Sequence, residues 1–121
     1  MQTSFLSEKA REVLNEYLRQ GDIHTDACDV ENYFSDEAQI KYLEFNSIKE
    51  AERALAAAGK IKSLLVVVYA GDGELKMNEL LEILKSLSAV SGLDFENSKM
   101  LYNTVSKSPA GLLRLLAQII P

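Results

Sequence analysis

Asp26 and Asp29 stand three positions apart in the stretch Ile23-His24-Thr25-Asp26-Ala27-Cys28-Asp29-Val30, which also holds the only histidine and the only cysteine of the chain. Carboxylates accept hydrogen bonds from water and organise hydrated cations, so a pair of them in a loop is a candidate for chemistry. His24, Asp26, Cys28 and Asp29 are all donors to divalent ions, but adjacent loop residues rarely converge on one centre without a distant fourth partner, so no metal is assigned. His24 and Cys28 have the types of a base and a nucleophile. No Gly-rich elbow accompanies them to supply an oxyanion hole, and an enzyme built on them predicts a Cys28 thiol of depressed pKa and raised reactivity. The plainest reading is local: acids that follow a helix end cap the next helix, because their oxygens accept its free N–H groups. On residue chemistry alone, capping is favoured.

Other signatures are weaker. Gly71-Asp72-Gly73 lacks the third glycine of a dinucleotide fingerprint and is too short for a P-loop, and Gly59-Lys60 has no glycine five residues before the lysine, so these glycines read as turns and caps. The net charge of −5, with 13 scattered Lys and Arg, argues against a nucleic-acid partner; Lys60 and Lys62 are the nearest thing to a basic patch. Leu64 to Ala70 is far shorter than the roughly 20 apolar residues of a membrane span, and residues 1–3 open no secretory signal. A lone cysteine fits a reducing, cytoplasmic setting.

The elements that must position the loop are legible from periodicity. The chain is read as one domain over 1–121, with an N-terminal helix over 1–22, the acidic loop over 23–30 and an α/β body over 31–121. Phe5, Leu6, Ala10, Val13, Leu14, Tyr17 and Leu18 recur at helical spacing, and Gly21 closes that helix. A short acidic helix is expected over 30–38. Ile40 to Phe45 reads as a strand with outward Lys41 and Glu44. Ser47 and Glu50 have capping-box spacing for a helix that Gly59 stops. Ser63 to Tyr69, continuously apolar and β-branched, reads as a central strand covered on both faces. Met77, Leu80, Leu81, Leu84 and Leu87 define a further helix ended by Gly92, and Met100 to Val105 is a third strand. The last segment is open: Leu112, Leu113, Leu116, Ile119 and Ile120 fit helical spacing and locally favour a helix, while Gly111 and the apolar density also suit a buried strand.

The loop and the order of elements together resemble the C-terminal domain, with its central helix and synergy loop, of the FtsZ and tubulin-like GTPases. That loop follows the pattern Ile-Asn-x-Asp-[Phe/Tyr]-Ala-Asp-[Val/Ile]. Ile23, Asp26, Asp29 and Val30 match it, His24 stands where Asn is usual, and Ala27-Cys28 replace the aromatic-Ala pair. Ala70 to Leu75, with Glu79 and Glu82, is similar to the family's turn into a helix with paired acids. The resemblance turns 112–120 into a closing strand, against the local preference. It implies that Asp26 and Asp29 reach in trans toward the GTP of a neighbouring subunit and help to position the attacking water. The family's GTP-binding half, with its Gly-Gly-Gly-Thr-Gly-[Thr/Ser]-Gly loop, is missing from these 121 residues. They hold half of such a site.

The expectation is therefore an α/β fold, a two-layer mixed sheet of about four strands with helices, similar to the FtsZ C-terminal domain. Function follows the resemblance: a non-enzymatic module, with no cofactor of its own, that docks on a tubulin- or FtsZ-like GTPase through Ile23, His24, Asp26, Asp29 and Val30 and modulates its polymerisation in cell division. The rival is a stand-alone sensor or adaptor that self-associates through an open sheet edge or its helix face, with the acids serving only as caps.

Overall fold

A computed structural model of the chain describes residues 8–20, 40–71, 76–95, 100–107 and 109–120. The expected helix over 30–38, the Gly21 helix end and the loop over 23–30 lie outside them. Helix α1 spans Glu8–Asn15 and runs on as a π-helical turn over Glu16–Gln20. Then come β1 (Ile40–Phe45), α2 (Ile48–Ala57), β2 (Lys60–Tyr69), α3 (Met77–Ser91), β3 (Leu101–Val105) and β4 (Leu113–Ile120).

The strands form one mixed sheet in the order β1-β4-β2-β3, with β4 antiparallel to both neighbours and β2 parallel to β3. The parallel pair is joined through α3, as a crossover between parallel strands requires. β2 starts three residues before the expected Ser63, and the pairing with β4 shifts between Ile61 and Ser63, so Lys62 is the extra residue of a bulge.

Strand alternation sends the apolar run of β2 to both sides. Leu64, Val66 and Val68 pack with Leu113, Leu115 and Ala117 of β4 beneath Ala51 and Leu55 of α2 and Leu80, Leu84 and Leu87 of α3. Leu65, Val67 and Tyr69 join Leu116 and Val105 on the opposite side, beneath Ala10, Val13, Leu14 and Tyr17. The sheet with α2 and α3 supplies the two layers expected from sequence, and α1 stands on the other face as a further layer. This agrees with the reading of β2 as a strand covered on both faces.

Local signals behave as their chemistry dictates. The Ser47 hydroxyl accepts from the Glu50 N–H at 3.3 Å and caps α2. Gly92, at φ 75°, closes α3 in the left-handed region, where a side chain is strained. Gly71, at φ 78°, has a different constraint: a Cβ there would lie 3.0 Å from that of Ala110, and its N–H donates to the Lys107 carbonyl at 2.8 Å. This close approach helps to set Lys107 beside the end of β2.

The helical preference of 112–120 is overruled. As the strand between β1 and β2, β4 gives its backbone groups ladder partners on both sides, and residues 113–118 are buried on both faces. A helix there would leave β1 and β2 each with an unpaired edge in the middle of the domain.

Candidate functional site

None of the sequence-derived site residues, Ile23, His24, Asp26, Asp29 and Val30, is among the described residues, and neither is Cys28. What the structure describes is the sequence on either side of that stretch. Leu18, five residues before Ile23, and Ile40, where β1 begins, both pack against the cluster of Tyr17, Leu65 and Leu116 on the α1 face of the sheet.

That face holds a charged cluster which the sequence reading passed over. β4 points Arg114 toward α1, and its residue is only 3% exposed. Glu16, at the start of the π turn, is 2% exposed. Arg114 Nη1 donates to Glu16 Oε1 at 2.5 Å and to Glu12 Oε1 at 3.1 Å. The Tyr69 hydroxyl, at the end of β2, lies 2.7 and 2.8 Å from the two Glu16 oxygens and accepts from Arg114 Nη1 at 3.1 Å. Lys107 Nζ reaches Glu16 Oε2 at 3.2 Å from the half-exposed rim. On the β1 side, Arg114 Nε donates to the Tyr42 hydroxyl at 2.9 Å, which donates to Glu44 at 2.5 Å, and the guanidinium sits 5.3 Å from the centre of the Tyr42 ring.

α1, the π turn, β1 and β2 thus each contribute a group to the guanidinium that β4 carries, while Lys107 after β3 meets Glu16. A buried arginine needs this, because an uncompensated charge in the interior costs several kcal/mol. No buried side-chain nitrogen or oxygen among the described residues lacks a partner. Next to the cluster, Asn103 of β3 donates through its side chain to the Tyr17 carbonyl at 2.9 Å, satisfying a main-chain group in the irregular π turn.

Electrostatics follow from these contacts. Burial disfavours the charged guanidinium of Arg114, but its hydrogen bonds to Tyr42, Tyr69 and Glu12 outweigh burial and raise its pKa above that of an ordinary arginine. The Arg114 hydrogen bond and charge hold Glu12 below the usual carboxylate range. Burial, then the hydrogen bond it donates to the Glu44 carboxylate, pushes Tyr42 up to about 12. Burial and Glu16 raise Tyr69 in the same way.

An alkaline limb follows. In the unfolded chain both phenols ionise near pH 10, while the fold keeps its protons, so the folded state binds more protons above about pH 10 and stability falls as pH rises. The Tyr42 contribution is whole below about pH 10 and gone above about pH 12. Urea midpoints measured across this window should drop, and Tyr42→Phe should flatten part of the drop. A variant curve as steep as wild type would count against the assignment.

Of the other sequence-derived positions, Lys60, Lys62, Glu79 and Glu82 are exposed. Among the described residues no three His, Cys, Asp or Glu side chains gather in a metal-holding arrangement, and no helix is long and apolar enough to cross a membrane. The geometry therefore offers an anchored helix, with its C-terminal turn fixed by charge, ahead of the acidic stretch in sequence.

Comparison with solved structures places this architecture. An empty FtsZ dimer from M. jannaschii superposes with a TM-score of 0.59 at 22% identity, covering 92% of this chain and 35% of that one. The fold is FtsZ-like. A tryptophan-to-tyrosine mutant of FtsZ from M. jannaschii gives a TM-score of 0.52 at 22% identity, covering 100% of this chain and 42% of that one. The chain thus spans about two-fifths or less of the FtsZ chains it matches. No family model matches the sequence, and no curated protein is similar to it in sequence. The FtsZ-like fold expected from the loop motif and the order of elements is thus met at the level of architecture.

The Arg114 cluster had one signal in the sequence: an arginine inside the apolar run Leu112 to Ile120. Glu12 and Glu16 gave none, since two acids four apart on an amphipathic helix look like its solvated face.

Proposed function

We propose that this chain is a non-enzymatic interaction module that docks on a tubulin- or FtsZ-like GTPase through residues 23–30 and modulates its polymerisation. The observation that carries this reading is the span of the structural likeness: essentially the whole chain, against 35% and 42% of two FtsZ chains. The matches at Ile23, Asp26, Asp29 and Val30 support it from the sequence side. One of the two FtsZ structures is a dimer, which favours a subunit of that family as the partner.

In this reading Asp26 and Asp29 act in trans, accepting hydrogen bonds from water near a nucleotide held by the neighbour. His24 replaces the flat amide of Asn with an imidazole of different reach, which alters how that water is held. Leu18 and Ile40, which flank the acidic stretch in sequence, both pack against one face of the sheet.

Mixing the purified protein with FtsZ should change its GTP turnover or the amount of polymer that sediments. The double variant Asp26→Ala with Asp29→Ala should abolish that change while leaving the melting of the body intact. A wild-type protein with no effect on either readout rejects the proposal. Self-association is the competing reading, favoured by the sheet order, which leaves the outer edges of β1 and β3 without a strand partner among the described residues. Sedimentation of the protein alone separates the two.

A further inference from the structure

Helix α1 runs on into a π turn over Glu16–Gln20, where hydrogen bonds reach five residues back and the turn holds more residues than an α turn. Such turns are rare and need support from outside the helix. The packing shows what this one achieves. Tyr17 is 2% exposed, and Leu18, the next residue, packs on the same cluster of Leu65, Val67 and Leu116. In an α turn adjacent side chains point about 100° apart. The wider turn advances less per residue, so both side chains reach the sheet.

Apolar packing is non-directional and does not by itself select a helical register. A hydrogen bond to the main chain does. β3 packs against the π turn, and its Asn103, at 0% exposure, donates through the side-chain nitrogen to the Tyr17 carbonyl at 2.9 Å. The side-chain oxygen of Asn103 accepts from the Thr104 N–H at 2.8 Å, which fixes the amide with its oxygen on β3 and its donor on the helix. Asn103 thus bridges the main chain of a strand to that of a helix. Carbonyls in the last turn of a helix are the ones that take partners from outside it, and a return to the α register would turn the Tyr17 carbonyl away from this donor.

We propose that Asn103 is a positioning residue: its amide holds the last turn of α1 in the π register, and that register sets how the chain is delivered to the docking stretch. Ile23 stands three positions beyond Gln20 in sequence, so a change of register turns the end of the helix about its axis just ahead of that stretch. The positioning role rests on the docking function proposed above; the hold on the π turn does not. The two pins on this turn act on different atoms. Arg114 grips the Glu16 side chain, whereas Asn103 grips the backbone one residue later.

Asn103→Asp keeps the shape of the side chain, removes the donor and sets a carboxylate against the Tyr17 carbonyl. Couplings across hydrogen bonds, read by NMR on the full chain, report the register directly. In the wild-type protein the Gln20 N–H should couple to the Asn15 carbonyl, five back, and the Asn103 side-chain N–H to the Tyr17 carbonyl. In the variant the second coupling should vanish and Gln20 should couple to Glu16, four back. With FtsZ as the probe, the concentration of variant needed for half of the change in GTP turnover should rise about tenfold, the scale of one lost buried hydrogen bond, while α2, β2 and α3 keep their protection from hydrogen exchange. Asn103→Ala, which brings no charge, takes its place if Asn103→Asp does not fold. A variant that keeps the five-back coupling overturns the proposal, and so does one that changes register yet acts on FtsZ at the wild-type concentration. A wild-type protein without effect on FtsZ rejects docking and the positioning role with it, while the couplings still decide whether Asn103 sets the turn.

Discussion

Arg114→Met should cost about 3–5 kcal/mol of stability at neutral pH, the range seen when one partner of a buried ion pair is removed and the other left behind. The remaining Glu16 carboxylate, 2% exposed, keeps Tyr69 and the half-exposed Lys107 but loses the guanidinium that met it at 2.5 Å. Tyr42 loses its donor at the same time. Replacing both partners by apolar groups has a different cost. Glu16→Met with Arg114→Met should recover most of the loss, because no uncompensated charge stays inside, and replacing a buried pair by packed hydrophobic residues is often neutral or stabilising by about 1–4 kcal/mol. Urea unfolding of the three proteins gives the answer. A double variant less stable than Arg114→Met would mean that the pair stabilises the fold in its own right and does not chiefly determine how α1 is seated.

Leu115→Ala and Leu116→Ala should each cost about 2–5 kcal/mol, the usual range for emptying a buried leucine site. Both residues are fully buried, at 0% exposure, yet they face opposite sides of the sheet. Leu115 packs with Leu64, Val66 and Leu84 beneath α2 and α3, and Leu116 packs with Leu65, Val13 and Tyr17 beneath α1. Leu115→Ala should therefore weaken hydrogen-exchange protection first in α3, and Leu116→Ala first in α1. Neighbouring residues with opposite regional effects are the signature of a strand, because side chains alternate across it. In a helix over 112–120 the adjacent leucines would point about 100° apart and share neighbours. Matching protection maps for the two variants would contradict the strand.

How much of the candidate site was legible differs residue by residue. The acids at 26 and 29 were found because unusual residue types crowd one short stretch, which needs no tertiary knowledge. Arg114 and Gln118 were not, for a reason of geometry. Being four apart, they look like one polar stripe of a helix, and in a strand they also share a face, so the pattern 112–120 fits both periods. The ladder pairing of β4 with β1 and β2 resolves the ambiguity, and it leaves both residues buried.

The sequence by itself determined every element whose signal is local. The apolar period of α1, the Ser47 cap, the left-handed Gly92, and the β-branched run of β2 all rest on interactions between residues a few positions apart. Even the FtsZ-like order of elements could be read that way. Only the tertiary structure decided that the last segment is the strand between β1 and β2, and that Glu16 meets Arg114 across 98 positions of chain. Such pairings depend on which ladder partners and which counter-charge are in reach once the sheet has formed, and no local period encodes that.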